Sequence, residues 1–281
     1  MQKRILIDWL RFTLDRPSET AELIDEFGLM VSEASPQGFY NTACEFHGAR
    51  GVMGRADWHT EHPEQKVCYT FSGNDLDVWR EQDKIERLLA FAVAHKGKFT
   101  RIDVAIDVLD DSRVDWYTLA HMADYGQMDT RAKTHSVIRS VRDGKTGITI
   151  YVGGRQSDKF MRIYDKAAEQ GIGADWARIE LECKGDYAKA MGVRLLADGM
   201  DFARGEIERF CTFDLQWWRD AVAGHVWDKV DVDRTPGNRR RWQDEVLFGM
   251  VADALVENDS FRLRLIALLQ WGGFDETGEV E

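Results

Sequence analysis

The chain has 281 residues, 44% of them hydrophobic and 31% charged, with a formal net charge of −12. A chain of this size can bury a substantial core as one large domain or two smaller ones. No apolar run approaches the roughly 20 residues that cross a bilayer, and the acidic balance excludes a protein coated in phosphate-binding groups.

In chain order, residues 4–13 (RILIDWLRFT) read as a first strand, and Pro17-Ser18-Glu19 opens a helix over 19–27 that stops at Gly28. Residues 38–53 form a glycine-turned hairpin and 66–71 a short strand. Ser72 to Asp75 make a turn and N-cap for one helix over 76–95. The strand TRIDVAIDV follows, with Ile102, Val104, Ile106 and Val108 on one face and Arg101, Asp103, Ala105 and Asp107 on the other. A helix over 114–124 leads to a hairpin of 136–141 and 147–152 around Asp143-Gly144. Strands 160–166 and 178–184 come next, and past them residues 186–197, 203–222, 240–257 and 259–270 have helical periodicity.

The fold class is therefore α+β: a mostly antiparallel sheet with one polar face, flanked by helices and followed by an all-helical C-terminal part. The division falls between residues 1–185 and 186–281, with 229–239 as an internal linker. A faint two-fold echo relates 66–107 to 147–182, each a strand and glycine turn before a carboxylate-bearing strand.

The opening MQKRILIDWLRF lacks a signal-peptide core and cleavage site. Cys44, Cys68, Cys183 and Cys211 are scattered, without zinc spacing. They read as reduced thiols of a cytoplasmic protein.

Charge is uneven. From Arg131 to Lys166 nine basic residues stand against three acidic ones, and Arg239, Arg240 and Arg241 form a second basic cluster. A local basic surface on an acidic body can bind DNA through a limited number of phosphates.

The polar face carries the chemistry. Strand 160–166 puts Phe160, Arg162, Tyr164 and Lys166 on one side. A tyrosine between two cations sits in a positive field that favours its phenolate. Carboxylates on neighbouring strands can hold a hard divalent cation. These parts suit attack of a tyrosine on a phosphodiester, with a metal and basic groups offsetting the charge that builds up. Tyr151 is the rival nucleophile, but Thr149 and Gly153 flank it rather than cations. The bland readings are an edge tyrosine at 164, and Arg162, Arg101 and Arg178 as cross-strand partners of Asp103 or Asp107. Gly153-Gly154-Arg155-Gln156-Ser157 is a hairpin loop or a nest of N–H groups beside a phosphate.

The ordered motifs IDWLRFT, TRIDVAID, YVGGRQSDKFMRIYDK and RIELECKGD resemble the replication initiation factor family (Rep_trans) over about residues 4–190. That family comprises rolling-circle initiators of small plasmids, relaxases of integrative elements and some filamentous-phage replication proteins. The resemblance implies that Tyr164 nicks one DNA strand at an origin, forming a 5′-phosphotyrosine and leaving a free 3′-OH for a host polymerase. It implies a Mg²⁺ or Mn²⁺ ion on Asp103, Glu180 and Glu182, and the residues flanking Tyr164 make Arg162 and Lys166 the expected catalytic cations. Tyr151, Gly153, Gly154, Arg155, Ser157, Lys159, Arg178, Arg239, Arg240 and Arg241 are the expected DNA contacts. The implied partners are a single-stranded or cruciform origin, a host helicase and polymerase, and a second copy as homodimer, with no membrane. The helical region 186–281 is expected to bind DNA or oligomerise. A non-catalytic DNA-binding replication protein and a metal-dependent phosphodiesterase that uses water are the competing classes.

Overall fold

The computed structural model describes residues 2–15, 18–62, 66–142 and 145–223. The chain begins with β1 (Gln2–Leu14), α1 (Ser18–Phe27), β2 (Met30–Ala34), β3 (Thr42–Gly48), β4 (Gly51–Trp58) and β5 (Val67–Phe71). Next come α2 (Gly73–Glu81), α3 (Ile85–Ala94), β6 (Lys98–Leu109), α4 (Trp116–Asp124), β7 (Asp129–Thr130), β8 (His135–Arg142) and β9 (Lys145–Val152). The last described elements are β10 (Lys159–Asp165), α5 (Lys166–Gln170), β11 (Trp176–Lys184), α6 (Gly185–Asp198), α7 (Met200–Phe210), β12 (Cys211–Thr212) and α8 (Gln216–Val222).

Ten strands form one sheet in the order β2-β3-β4-β5-β1-β6-β11-β10-β9-β8, with every neighbouring pair antiparallel. Read from each edge inward, the two halves have the same plan. In each, the first strand of the half lies at the centre and is followed by a helix. Four strands then run from the edge back to the centre, and a helix closes the unit. The first half is β1 to α3 and the second β6 to α6. The sheet is therefore a topological duplication joined at the β1–β6 pair. The sequence echo between 66–107 and 147–182 had the wrong boundaries, because the unit begins at each central strand.

Alternation decides which face is dry. Ile102, Val104 and Ile106 are fully buried and pair with Leu10, Ile7 and Ile5 of β1. The β1 pattern slips between Ile7 and Trp9, where Asp8 is an extra residue. A bulge of this kind re-aims side chains locally. The dry face packs on helices, and α6 comes close enough that a Cβ on Gly192 would lie 2.3 Å from Phe99 Cδ2. Met191, Leu195, Phe202, Trp217 and Trp218 belong to the same core as β1 and β6. Helices α6 to α8, beyond residue 185, thus share the core of the sheet.

Three elements differ from expectation. The helix expected over 76–95 is two, because Asp83 takes φ 53° and Lys84 N–H donates to Trp79 O. The helix expected over 203–222 is broken at Cys211, where β12 pairs with β7. Strand β2 escaped notice because, as an edge strand with four of five residues exposed, it has no buried alternation to read. All four cysteines are free and buried. Among the described residues no helix is long and apolar enough to cross a membrane.

Candidate active site

The wet face of β6, β11 and β10 gathers four acids, joined by Asp8 of β1, and the cations that answer them. Register places Asp103 opposite Glu182, Asp107 opposite Arg178, and Arg162 opposite Glu180. Tyr164 lies opposite Arg178. Its hydroxyl donates to Glu180 Oε2 at 3.2 Å, while Arg162 Nη2 grips Glu180 Oε1. Glu180, only 1% exposed, thus sits between the phenol and the guanidinium.

Burial pushes the Glu180 carboxyl up to about 7, with Arg162 opposing and Asp8 and Asp103 adding to the rise. Burial and the Glu180 charge also hold the Tyr164 phenol above its ordinary range, against the opposing pull of Arg178. The expectation of a phenolate favoured by a positive field is therefore corrected. The cations beside Tyr164 are already answered by acids, so the phenol rests protonated on a carboxylate. A nucleophile hydrogen-bonded to a base that titrates near neutrality is the arrangement general-base activation requires.

Beside the Tyr164–Glu180 pair lies a buried anchor. Arg178, 4% exposed, donates from Nε and Nη2 to Asp107 at 2.6 and 2.9 Å and from Nη1 to Asp8 at 2.6 Å. Arg4 adds a 2.7 Å bond to Asp107. Burial pushes the Asp107 carboxyl up, but the bonds and charge of Arg178 outweigh it and hold the group below its usual range. Arg178 was expected to touch DNA. It is instead bound to Asp107 and Asp8, beside Tyr164 on the neighbouring strand. Asp8 was missed, although the break in alternation at ILIDWL is the signal that would have exposed it.

Lys166 is not on the strand face. It is the first residue of α5, capped by Asp165, and pairs with Glu169, leaving its Nζ 5.7 Å over the Tyr164 ring. Lys159, another expected DNA contact, is bound to buried Glu206 at 2.5 Å and lies over the Tyr187 ring, so it ties β10 to α7. Tyr151 stacks on Phe160 at 5.5 Å, and the exposed Arg155 lies within 6 Å of both rings. Gly153 takes φ 89°, and a Cβ there would meet Lys159 O at 3.1 Å, so the turn requires glycine. Ser157 N–H closes this turn on Gly154 O. Arg239, Arg240 and Arg241 lie outside the described residues.

Asp103, Glu180 and Glu182 are of the oxygen type a hard divalent ion takes. Their arrangement does not fit one. Arg101 binds both oxygens of Asp103, at 2.9 and 2.6 Å, and reaches Glu182 at 2.9 Å. Lys184 takes Glu182 at 2.7 Å, and Arg162 stands between Glu180 and Asp103. Among the described residues no three His, Cys, Asp or Glu side chains are gathered to hold a metal ion. The cations needed to neutralise the cluster are already in it.

Residues 97–217 match the sequence model of the family described as replication initiation factor, Rep_trans. Two curated relatives, both replication initiation proteins of Staphylococcus aureus, are 36% and 35% identical over 117 residues. Those matches cover 39% of this chain and 32% and 31% of the relatives, so they span about a third of the relatives' length. The rolling circle replication initiator protein of Geobacillus stearothermophilus shares the fold at a TM-score of 0.62 and 18% identity, over 89% of this chain and 97% of that one.

Proposed function

Because residues 97–217 match the model of the replication initiation factor family, we propose that this protein initiates rolling-circle replication by nicking and rejoining one DNA strand through Tyr164. The observation that carries the reading is the Tyr164 hydroxyl resting on Glu180 beside Arg162. In the proposed step Tyr164 Oη forms a bond to the scissile phosphorus and passes its proton to Glu180. The P–O3′ bond breaks, and the electron pair leaves with the 3′ oxygen, which takes a proton from water. Arg162 offsets the charge that develops on the phosphoryl oxygens. The product is a 5′-phosphotyrosine and a free 3′-OH, and the reverse step rejoins the strand.

Lys166, over the Tyr164 ring, contributes charge at longer range. Arg155 and Tyr151 flank the site on the β9 side and are the proposed contacts for the strand. No step is derived through a metal ion. A Mg²⁺ or Mn²⁺ ion would take its ligands from Asp103, Glu180 and Glu182 and would have to displace Arg101 and Arg162 from them. The same chemistry would serve a relaxase of a mobile element, the difference lying in the DNA recognised.

The test is incubation with end-labelled single-stranded DNA, detergent denaturation and mapping of the adducted peptide. The expected adduct is on Tyr164. An adduct that survives Tyr164→Phe, or that maps to Tyr151, overturns the assignment.

A further inference from the structure

At the β1–β6 junction two arginines face each other directly. Arg11 and Arg101 are register partners, and like charges opposite one another across strands destabilise a sheet. Arg101 is answered by Asp103 and Glu182. Arg11 is not. Its Nε donates to Thr70 Oγ1 at 3.2 Å, and among the described residues no carboxylate forms an ion pair with it. Between them and the catalytic face stands Trp9, opposite Asp103 and partly exposed, with the Arg101 and Arg11 guanidiniums 4.7 and 5.9 Å from its ring centroid. Nothing in the packing of the sheet calls for this cluster on a wet face. A like-charge pair left half-answered beside a partly exposed indole is complementary to an anion that carries an aromatic group.

We infer that Arg11, Trp9 and Arg101 form a second contact for the single strand, with a phosphate at the arginines and a nucleobase against the indole. The inference rests on the proposed nicking reading for its choice of ligand. The cluster lies three strands from Tyr164 and, by register, four residues along the strands from it, roughly 20 Å away at about 4.8 Å per strand and about 3.4 Å per residue. The strand would therefore cross the wet face from β10 to β1, with the nucleophile at one end and Trp9 at the other. Stacking on an aromatic tolerates any base, and an arginine beside it adds its charge to the backbone contact.

The test uses the full chain carrying Tyr164→Phe, so that binding is read without cleavage, and a fluorescent oligo(dT) strand as probe. Adding Trp9→Ala is expected to weaken binding about tenfold, within the range for loss of one stacked base. Trp9→Phe should restore most of that loss. Arg11→Gln should lower the salt slope of binding by roughly 0.7, as loss of one phosphate contact on a single strand does. Iodouracil-substituted strand should photocrosslink to the peptide holding Trp9. Thermal melts of each variant separate misfolding from lost contact. Affinities within twofold of the parent, with no crosslink at Trp9, overturn the inference, as does an acidic peptide that binds there while the strand does not. Failure of nicking is read separately, in the chain that keeps Tyr164: absence of a Tyr164 adduct there, with the Trp9 effect intact, removes the catalytic reading and leaves the contact.

Discussion

The two halves of the sheet are built alike and do different things. In the second half β10 carries Arg162 and Tyr164, opposite Glu180 and Arg178. In the first half the corresponding strand, β4, carries Arg55 and Asp57, opposite Thr70 and Cys68. Both pairs project from the same face of one continuous sheet. In the first half the arginine closes on its own neighbour, Arg55 binding both oxygens of Asp57 at 2.8 and 2.7 Å. Residues 35–41 then cover the pair, with Arg55 donating to Ser35 O and Gln37 N–H donating to Asp57. Asp57 is left 3% exposed. The difference teaches that the framework supplies a polar face twice, and that in the second half the buried acid meets a tyrosine hydroxyl where in the first it meets an arginine and a loop N–H.

Four experiments break or sharpen that contrast. The largest effect is expected from Tyr164→Phe, which should abolish the covalent adduct while the fold and DNA binding persist. Asp57→Ala, its counterpart, should leave adduct yield unchanged, and gel analysis of the two variants side by side checks both.

Next in size is the buried anchor. Arg178→Ala leaves Asp107 and Asp8 without their main partner, and breaking a buried pair costs about 3–5 kcal/mol. Asp57→Ala strands only the Arg55 guanidinium and one backbone N–H, for about 2 kcal/mol. Urea unfolding should rank them in that order. The reverse order would mean that the first half, not the second, holds the more strongly coupled charges.

Acid and neutral pH act on the second half in opposite senses. Asp107 is held below its unfolded value, so its stabilisation is present above about pH 4 and is lost as pH falls below that. Glu180 is raised, so stability falls as pH rises from about 4.3, its unfolded value, toward about 7, its folded value. Thermal midpoints across this range should lose the acid limb in Asp107→Asn and the neutral limb in Glu180→Gln. A profile unchanged in both variants would contradict the burial of these acids.

The smallest effect concerns metal. With Arg162 between Glu180 and Asp103, DNA-free protein should bind Mn²⁺ weakly, and Arg162→Gln should bind it several-fold more tightly in a spin-resonance titration. Equal affinities would show that the guanidinium does not compete for the carboxylates.

Much of the second half was legible because each strand there has a clean two-residue period. Ile102 to Val108, Met161 with Ile163, and Ile179 with Leu181 all face the helices as the alternation requires. That period places Asp103, Arg162, Tyr164, Glu180 and Glu182 together on the opposite face. The partners were not legible. Whether Arg178 meets DNA or Asp107, and whether Lys159 meets a phosphate or Glu206, depend on segments far apart in the chain, while whether Lys166 continues the strand or begins α5 turns on the Asp165 cap.

What the sequence determined by itself was the periodicity of the strands, the face on which the phenol and the acids stand, and the motif order that the family shares. Only the tertiary structure decided the strand order, and with it the duplication, the seating of α6 to α8 in the common core, the Asp8 bulge and the closing of carboxylates on arginines. The reason is physical. Alternation is a local property that a few consecutive residues express, whereas ion pairing and burial depend on which strands become neighbours, and in this sheet β1, β6 and β11 come together from positions 67 or more residues apart.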